Sequence, residues 1–262
     1  MNSQGSILLM RIDDFQDFLD RDLAWRKMEI SQLFMLLNRA EAHEVIGKSM
    51  ILLLYAHWEG FIKKSSKYYL KYVSDKNINI QDLTLNFEAI MLKRFARECI
   101  DQDSNNLAKE FALMNKHRKA KVRPFKININ INDEFDKEFI DTQYNLSSKV
   151  LGNIIQIIGI KYNDAIKTRK QFLDVNLLKN RNAIGHGNQL SNNSDELSPL
   201  DFSQILKLKN FVILMLDYFA EVLSKYVEEE FYLISKEDKR NLYEDEQEEI
   251  LNNKLAQIED EN

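Results

Sequence analysis

Seven glycines and two prolines among 262 residues leave this chain almost without the residues that break helices or close tight turns. A sandwich or barrel needs turn signals roughly every 8–12 residues. Such a fold has little room here, and long helices are the expected outcome. The apolar pattern agrees. Ile12, Phe15, Phe18, Leu19, Leu23, Met28, Leu33, Phe34 and Leu37 recur mostly at steps of three and four, the period of an amphipathic helix. After a joint around Ala40-Glu41-Ala42, residues 45–73 predict a second long helix with Ile46, Met50, Leu54, Trp58, Phe61, Ile62 and Tyr69 on or near one face. Lys63, Lys64, Lys67 and Lys71 occupy its other face.

Residues 74–145 read as an insertion. Asn77–Ile80 and Ile127–Asn132 alternate apolar and polar with period two, which allows a small two-stranded ribbon although Asn is a poor strand former. Helices are expected between them, around Phe87–Cys99 and Leu107–Asn115. A very apolar helix follows from Ser147 to Ile158, then a basic stretch from Lys161 to Lys170, then a helical segment running into Arg181. An Asn/Ser-rich loop from Asn188 to Pro199 precedes a last long helix from about Phe202 to Glu230. The prediction is an all-α antiparallel helical bundle, with residues 1–235 as the domain and 236–262 as an acidic tail, solvated or partly disordered.

Charge excludes little by itself. The net charge is −5, but residues 236–262 hold 10 Asp/Glu against 4 Lys/Arg, and the other 235 residues hold 32 basic and 31 acidic groups. Local patches therefore decide what the fold binds. Cys99 is alone, which rules out an internal disulfide or a thiol-rich zinc site and fits a reducing cytoplasm. The start of the chain lacks the basic flank and cleavage site of a secretion signal. The most apolar run, Met50–Ala56, falls well short of the roughly 18 residues a membrane span needs, so no membrane partner is expected. Phosphate-loop, dinucleotide-binding, serine-hydrolase and zinc-protease signatures are absent, and neither a cofactor nor a metal is expected.

One segment stands apart: Leu177-Leu178-Lys179-Asn180-Arg181-Asn182-Ala183-Ile184-Gly185-His186-Gly187. It resembles the Arg-Asn-x-x-x-His signature of HEPN ribonucleases. Earlier, Tyr55-Ala56-His57-Trp58-Glu59-Gly60-Phe61 is similar to a helix of the MAE_28990/MAE_18760-like branch of those proteins. Each segment is short, but the two occur in the right order on long predicted helices. The resemblance implies RNA cleavage leaving a 2′,3′-cyclic phosphate and a 5′-OH. It also implies a homodimer whose two motifs line one composite cleft, and a toxin or effector of a toxin–antitoxin or anti-phage system with an antitoxin or defence-system partner.

The residue chemistry stands on its own terms. RNA carries its own nucleophile, the 2′-OH, so an enzyme needs a group that moves protons near neutral pH and a cation for the charge developing on phosphate. His186 suits the first task and Arg181 the second, with Asn182 placed to orient either. Residues five apart on a regular helix differ by about 140° in direction, so these two do not share a face. Gly185 and Gly187 allow the turn to distort or end at the histidine.

Blander readings accompany each residue. His186 suits a helix-ending His-Gly cap, and Arg181 has Asp174 and Glu59 as candidate ion-pair partners. Glu59 and Lys63, four apart, suit either a simple pair across one turn or a supporting role at the site. Lys116, Arg118, Lys119, Lys121 and Arg123 form the densest basic run. That run is a solvated surface or an RNA-phosphate patch with Phe125 available for stacking. The acidic tail is a candidate shield for a basic cleft. The rival functions are a non-catalytic helical module binding RNA, a nucleotide or a protein, and a metal-dependent nuclease built from scattered carboxylates.

Overall fold

A computed structural model describes residues 10–39, 43–100, 107–133, 135–187 and 201–260. The 40–42 joint, the 188–199 loop and the side chains of His43 and Cys99 lie outside the described residues.

The long helices form where the apolar period predicts them. α1 (Ile12–Leu37), α2 (His43–Asp75) and α9 (Phe202–Glu228) pack against one another as the centre of an all-α bundle. α1 turns Phe15, Leu19, Ile30 and Leu37 inward, and α9 buries a stripe from Ile205 to Val227. Asp201 and Gln204 close the start of α9 as a capping box, each side chain accepting the other's backbone N–H. α5 (Ser148–Ile158) is capped at both ends: Ser147 accepts the Val150 N–H, and Gly159 takes the left-handed conformation at φ 76°.

α3 (Leu85–Ile100) packs on α5, and α4 (Ala108–Lys121) packs on α3. Residues 74–145 do not sit apart from the bundle. Ile80, Leu83, Phe87, Phe125 and Ile140 join the same buried cluster as the long helices.

The two alternating segments do not form a ribbon with each other. Ile78–Ile80 meets Arg123–Phe125 in a single antiparallel bridge, through the Ile80 N–H to Arg123 carbonyl bond (3.0 Å) and the Phe125 N–H to Ile78 carbonyl bond (2.8 Å). In the asparagine-rich stretch, side chains take the backbone donors that a ladder would need. Asn130 Oδ1 accepts from the Asn132 N–H and Asp136 from the Asn130 N–H. This stretch lies along α2 instead, where Ser74 Oγ accepts the Ile127 N–H.

After α5 come two short helices, α6 (Asp164–Lys167) and α7 (Lys170–Phe172), then a π-helical stretch Leu173–Lys179 that runs into α8 (Asn180–Gly185). Leu173, Leu177 and Leu178 of this wider i→i+5 winding are buried.

The acidic tail is an ordered helix, α10 (Glu237–Asp260), docked on α9 and α6 by buried Gln247, Leu251 and Leu255. Four of its carboxylates engage the 161–169 segment. Glu244 accepts the Lys161 N–H (2.8 Å) and Glu248 accepts the Asp164 N–H (2.7 Å). Asp245 and Glu248 pair with the Lys161 ammonium, and Glu259 takes Arg169 in a two-pronged contact (2.8 and 3.0 Å). The tail therefore braces the approach to α8 and contributes no lining to the basic cleft described below. Among the described residues no helix is long and apolar enough to cross a membrane.

Candidate active site

The Trp-Glu-Gly-Phe stretch divides its side chains around α2. Trp58 and Phe61 are buried in the core, whereas Glu59 and Gly60 face a cleft. Gly60 allows a close approach, because a Cβ there would lie 2.9 Å from Nη1 of Arg26 and the guanidinium would have to shift. The Arg26 guanidinium is held against α2 by a buried pair with Asp22 (2.7 Å), which also accepts from Lys64 (3.1 Å). Asp22 is thereby kept below the usual carboxylate range against the upward push of its burial.

α8 packs on α2 and brings the second motif to the first. The Arg181 guanidinium lies over the Tyr55 ring, 4.4 Å from its centroid, and Nη1 donates to Asn182 Oδ1 at 2.8 Å. The Tyr55 hydroxyl accepts the Leu146 N–H (2.9 Å) and is hydrogen-bonded to Glu59. Burial pushes its pKa well up, so it stays protonated and can donate to the carboxylate. Arg181, Asn182, Tyr55 and Glu59 thus form one connected array.

His186 ends α8. Its backbone N–H reaches the Asn182 carbonyl (3.0 Å), and Gly187 at φ 77° turns the chain away. The imidazole is exposed at this open end. The motif therefore places a fixed cation inside and an exposed imidazole outside. Asp174, one candidate partner of Arg181, instead caps α5 through the Ser148 N–H and hydroxyl (2.8 and 2.6 Å).

Lys63 lines the cleft one turn beyond Glu59. Lys67, expected on a polar face, is only 2% exposed. The 130–133 stretch covers it, and its ammonium donates to the Asp133 carbonyl at 2.9 Å. Burial lowers its pKa. The α4 run is elsewhere: Lys116, Arg118, Lys119 and Arg123 are exposed, Lys121 pairs with Glu88 (3.5 Å), and none of them lines the cleft. Phe125 is not available for stacking, since it is fully buried edge-on against Phe87. Tyr55 was legible in principle, standing one turn before Glu59 on the same helix face. The seating of the Arg181 cation on that ring and the π turn that aims it carry no comparable sequence signal.

Among the described residues no three His, Cys, Asp or Glu side chains converge as a metal site. The all-α helical bundle fits a HEPN domain. The MAE_28990-like HEPN family model matches residues 15–232, and the chain belongs to that family. Membership points to a nuclease or RNA-related module. No curated protein and no solved structure matches the chain.

Proposed function

We propose that the protein is a metal-independent endoribonuclease acting through Arg181 and His186. The supporting observation is the division of labour around α8, with the Arg181 guanidinium fixed on Tyr55 and Asn182 and the His186 imidazole left exposed. His186 takes the proton of a 2′-OH as its oxygen bonds to phosphorus. The bond to the 5′-oxygen breaks, and the proton is returned to that leaving oxygen, giving a 2′,3′-cyclic phosphate and a 5′-OH. Arg181 meets the charge that develops on the phosphoryl oxygens with a preset two-pronged donor. Asn182 fixes the guanidinium, Glu59 fixes Tyr55 beneath it, and Lys63 receives phosphate on the substrate's approach.

This reading carries a homodimer in which the open ends of two α8 helices line one cleft. It suits a toxin or effector acting on RNA in the cytoplasm, held in check by an antitoxin or defence-system partner. Growth arrest on expression, absent for His186→Ala, is the cellular readout of that role.

The deciding experiment is cleavage of end-labelled RNA with EDTA present. Arg181→Ala and His186→Ala should each lose roughly 10²–10⁴-fold in rate with folding intact. Undiminished cleavage by folded variants overturns the assignment and leaves a non-catalytic RNA module. Loss of wild-type activity in EDTA overturns metal independence. Mixing the two inactive variants should restore part of the activity if the cleft is composite.

A further inference from the structure

A second feature of α2 lies beyond the motif. Tyr55, Glu59, Lys63 and Lys67 follow one another at four-residue steps, so one stripe runs about 18 Å along the helix from the Arg181 contact. The stripe leads into a cleft of about 600 Å³ between α2 and residues 131–133 and 135–144. Arg26, Lys63, Lys64, Lys67 and Lys137 line it, with Glu59 and Asp133 as the carboxylates among its described lining residues. Polyanions are drawn to such a field.

The lip of the cleft is aromatic. Phe135 is 83% exposed and Tyr144 is 76% exposed, unusual for rings of this size. Tyr144 is set there at some backbone cost. Gln143 and Tyr144 both adopt left-handed conformations at φ 54° and 59°, a region that side chains other than glycine rarely visit. The Lys137 ammonium lies over the Tyr144 ring, 3.3 Å from its centroid. A cation and an exposed ring are thus paired where a phosphate and its base would arrive together.

We propose that this cleft is the docking path of a single-stranded RNA, its phosphates on the Lys63 and Lys137 side and unpaired bases stacked on Tyr144 and Phe135. The assignment rests on the ribonuclease reading and names its substrate class. Stacking platforms need unstacked bases, which duplex RNA does not offer. The strand then leaves the cleft along the stripe toward Arg181.

The test uses full-length protein carrying His186→Ala, so that binding is read without cleavage. Fluorescence anisotropy follows a labelled single-stranded RNA 12-mer, the same sequence as a duplex, and a polyglutamate peptide. Tyr144→Ala and Phe135→Ala, both exposed positions, should each weaken single-strand binding roughly 5- to 100-fold. Lys63→Gln and Lys137→Gln should weaken it and flatten its salt dependence, whereas Lys254→Gln on exposed α10 should not. Unchanged binding in all four cleft variants overturns the proposal, as does loss confined to Arg118→Gln and Lys119→Gln on α4. Preference for the duplex or the acidic peptide overturns the single-strand assignment. If the cleft variants lose binding while unmodified protein fails to cleave the bound RNA, the cleft stands and the nuclease reading falls.

Discussion

The Arg181 guanidinium rests on the face of Tyr55, 4.4 Å from the ring centroid, and this contact joins the two sequence motifs into one site. The ring and the hydroxyl have separate tasks. The ring holds the cation, and the hydroxyl accepts the Leu146 N–H and engages Glu59. Tyr55→Phe should therefore cost about 1 kcal/mol of stability and leave most activity. Tyr55→Leu should in addition lower kcat by about 10-fold or more while KM moves little, because the mislaid Arg181 acts on transition-state charge. Urea denaturation and initial rates separate the two effects. Equal kcat for the Phe and Leu variants would refute a positioning role for the ring.

Gly60 makes a second, independent point about α2. A methyl group there meets Arg26 Nη1 at 2.9 Å, and Arg26 is tied to Asp22 in the interior. Gly60→Ala should destabilise the fold by about 1–3 kcal/mol, although alanine is the better helix former by about 1 kcal/mol. Thermal denaturation reads the sign directly. A stabilised variant would mean that the guanidinium has room to move aside.

The α10 brace predicts the opposite of a shield. Removing residues 236–262 takes away buried Leu251 and Leu255, each worth about 1.5–3 kcal/mol, together with the carboxylates that hold 161–169. The truncated protein should melt lower, exchange amide protons faster across 161–179 and cleave RNA more slowly. Faster cleavage would instead show that α10 covers the site. Glu248→Gln, which spares the apolar contacts, should show the exchange change in milder form.

His57 gives the fold a pH dependence of known sign. Its burial, helped by the Arg26 guanidinium and opposed by Glu29 and Asp22, lowers its pKa below the ordinary 6.5. The folded state thus keeps the ring neutral where the unfolded chain binds a proton. Stability should be level above pH 6.5 and fall below it, by up to about 1.4 kcal/mol per pH unit until the folded group also titrates. Urea midpoints between pH 7.5 and 5.5 check this, and His57→Gln should flatten that limb. An equally steep variant would assign the loss to other groups.

The long helices were readable because their apolar residues repeat every three or four positions over many turns, as Phe15 and Leu19 or Leu208 and Val212 illustrate. The ribbon expected near Ile78 and Ile129 was not, since local asparagine and aspartate side chains outbid the ladder for backbone donors. Arg181, Asn182, Glu59 and Lys63 could be picked by residue type and order. The seating of the Arg181 cation on Tyr55 could not, because a cation over a ring depends on how α8 crosses α2. Phe125 looked free beside its lysines, yet its burial against Phe87 is decided by tertiary contacts alone. The tail's composition suggested solvent, and only the docked helix reveals that Leu251 and Leu255 fall on a buried face.

The seven-residue π stretch before α8 makes the aim of the motif a matter of counting. Deleting one residue from 173–179 would let the segment close as a regular helix with α8 still nearly in phase, whereas deleting two would turn everything after it by about 100°. The letters of the Arg-Asn-x-x-x-His motif would be untouched, yet the guanidinium would swing off Tyr55. Two chains spelling the same motif can therefore differ in whether it points anywhere useful, and the length of the approach, invisible to a motif search, tells them apart.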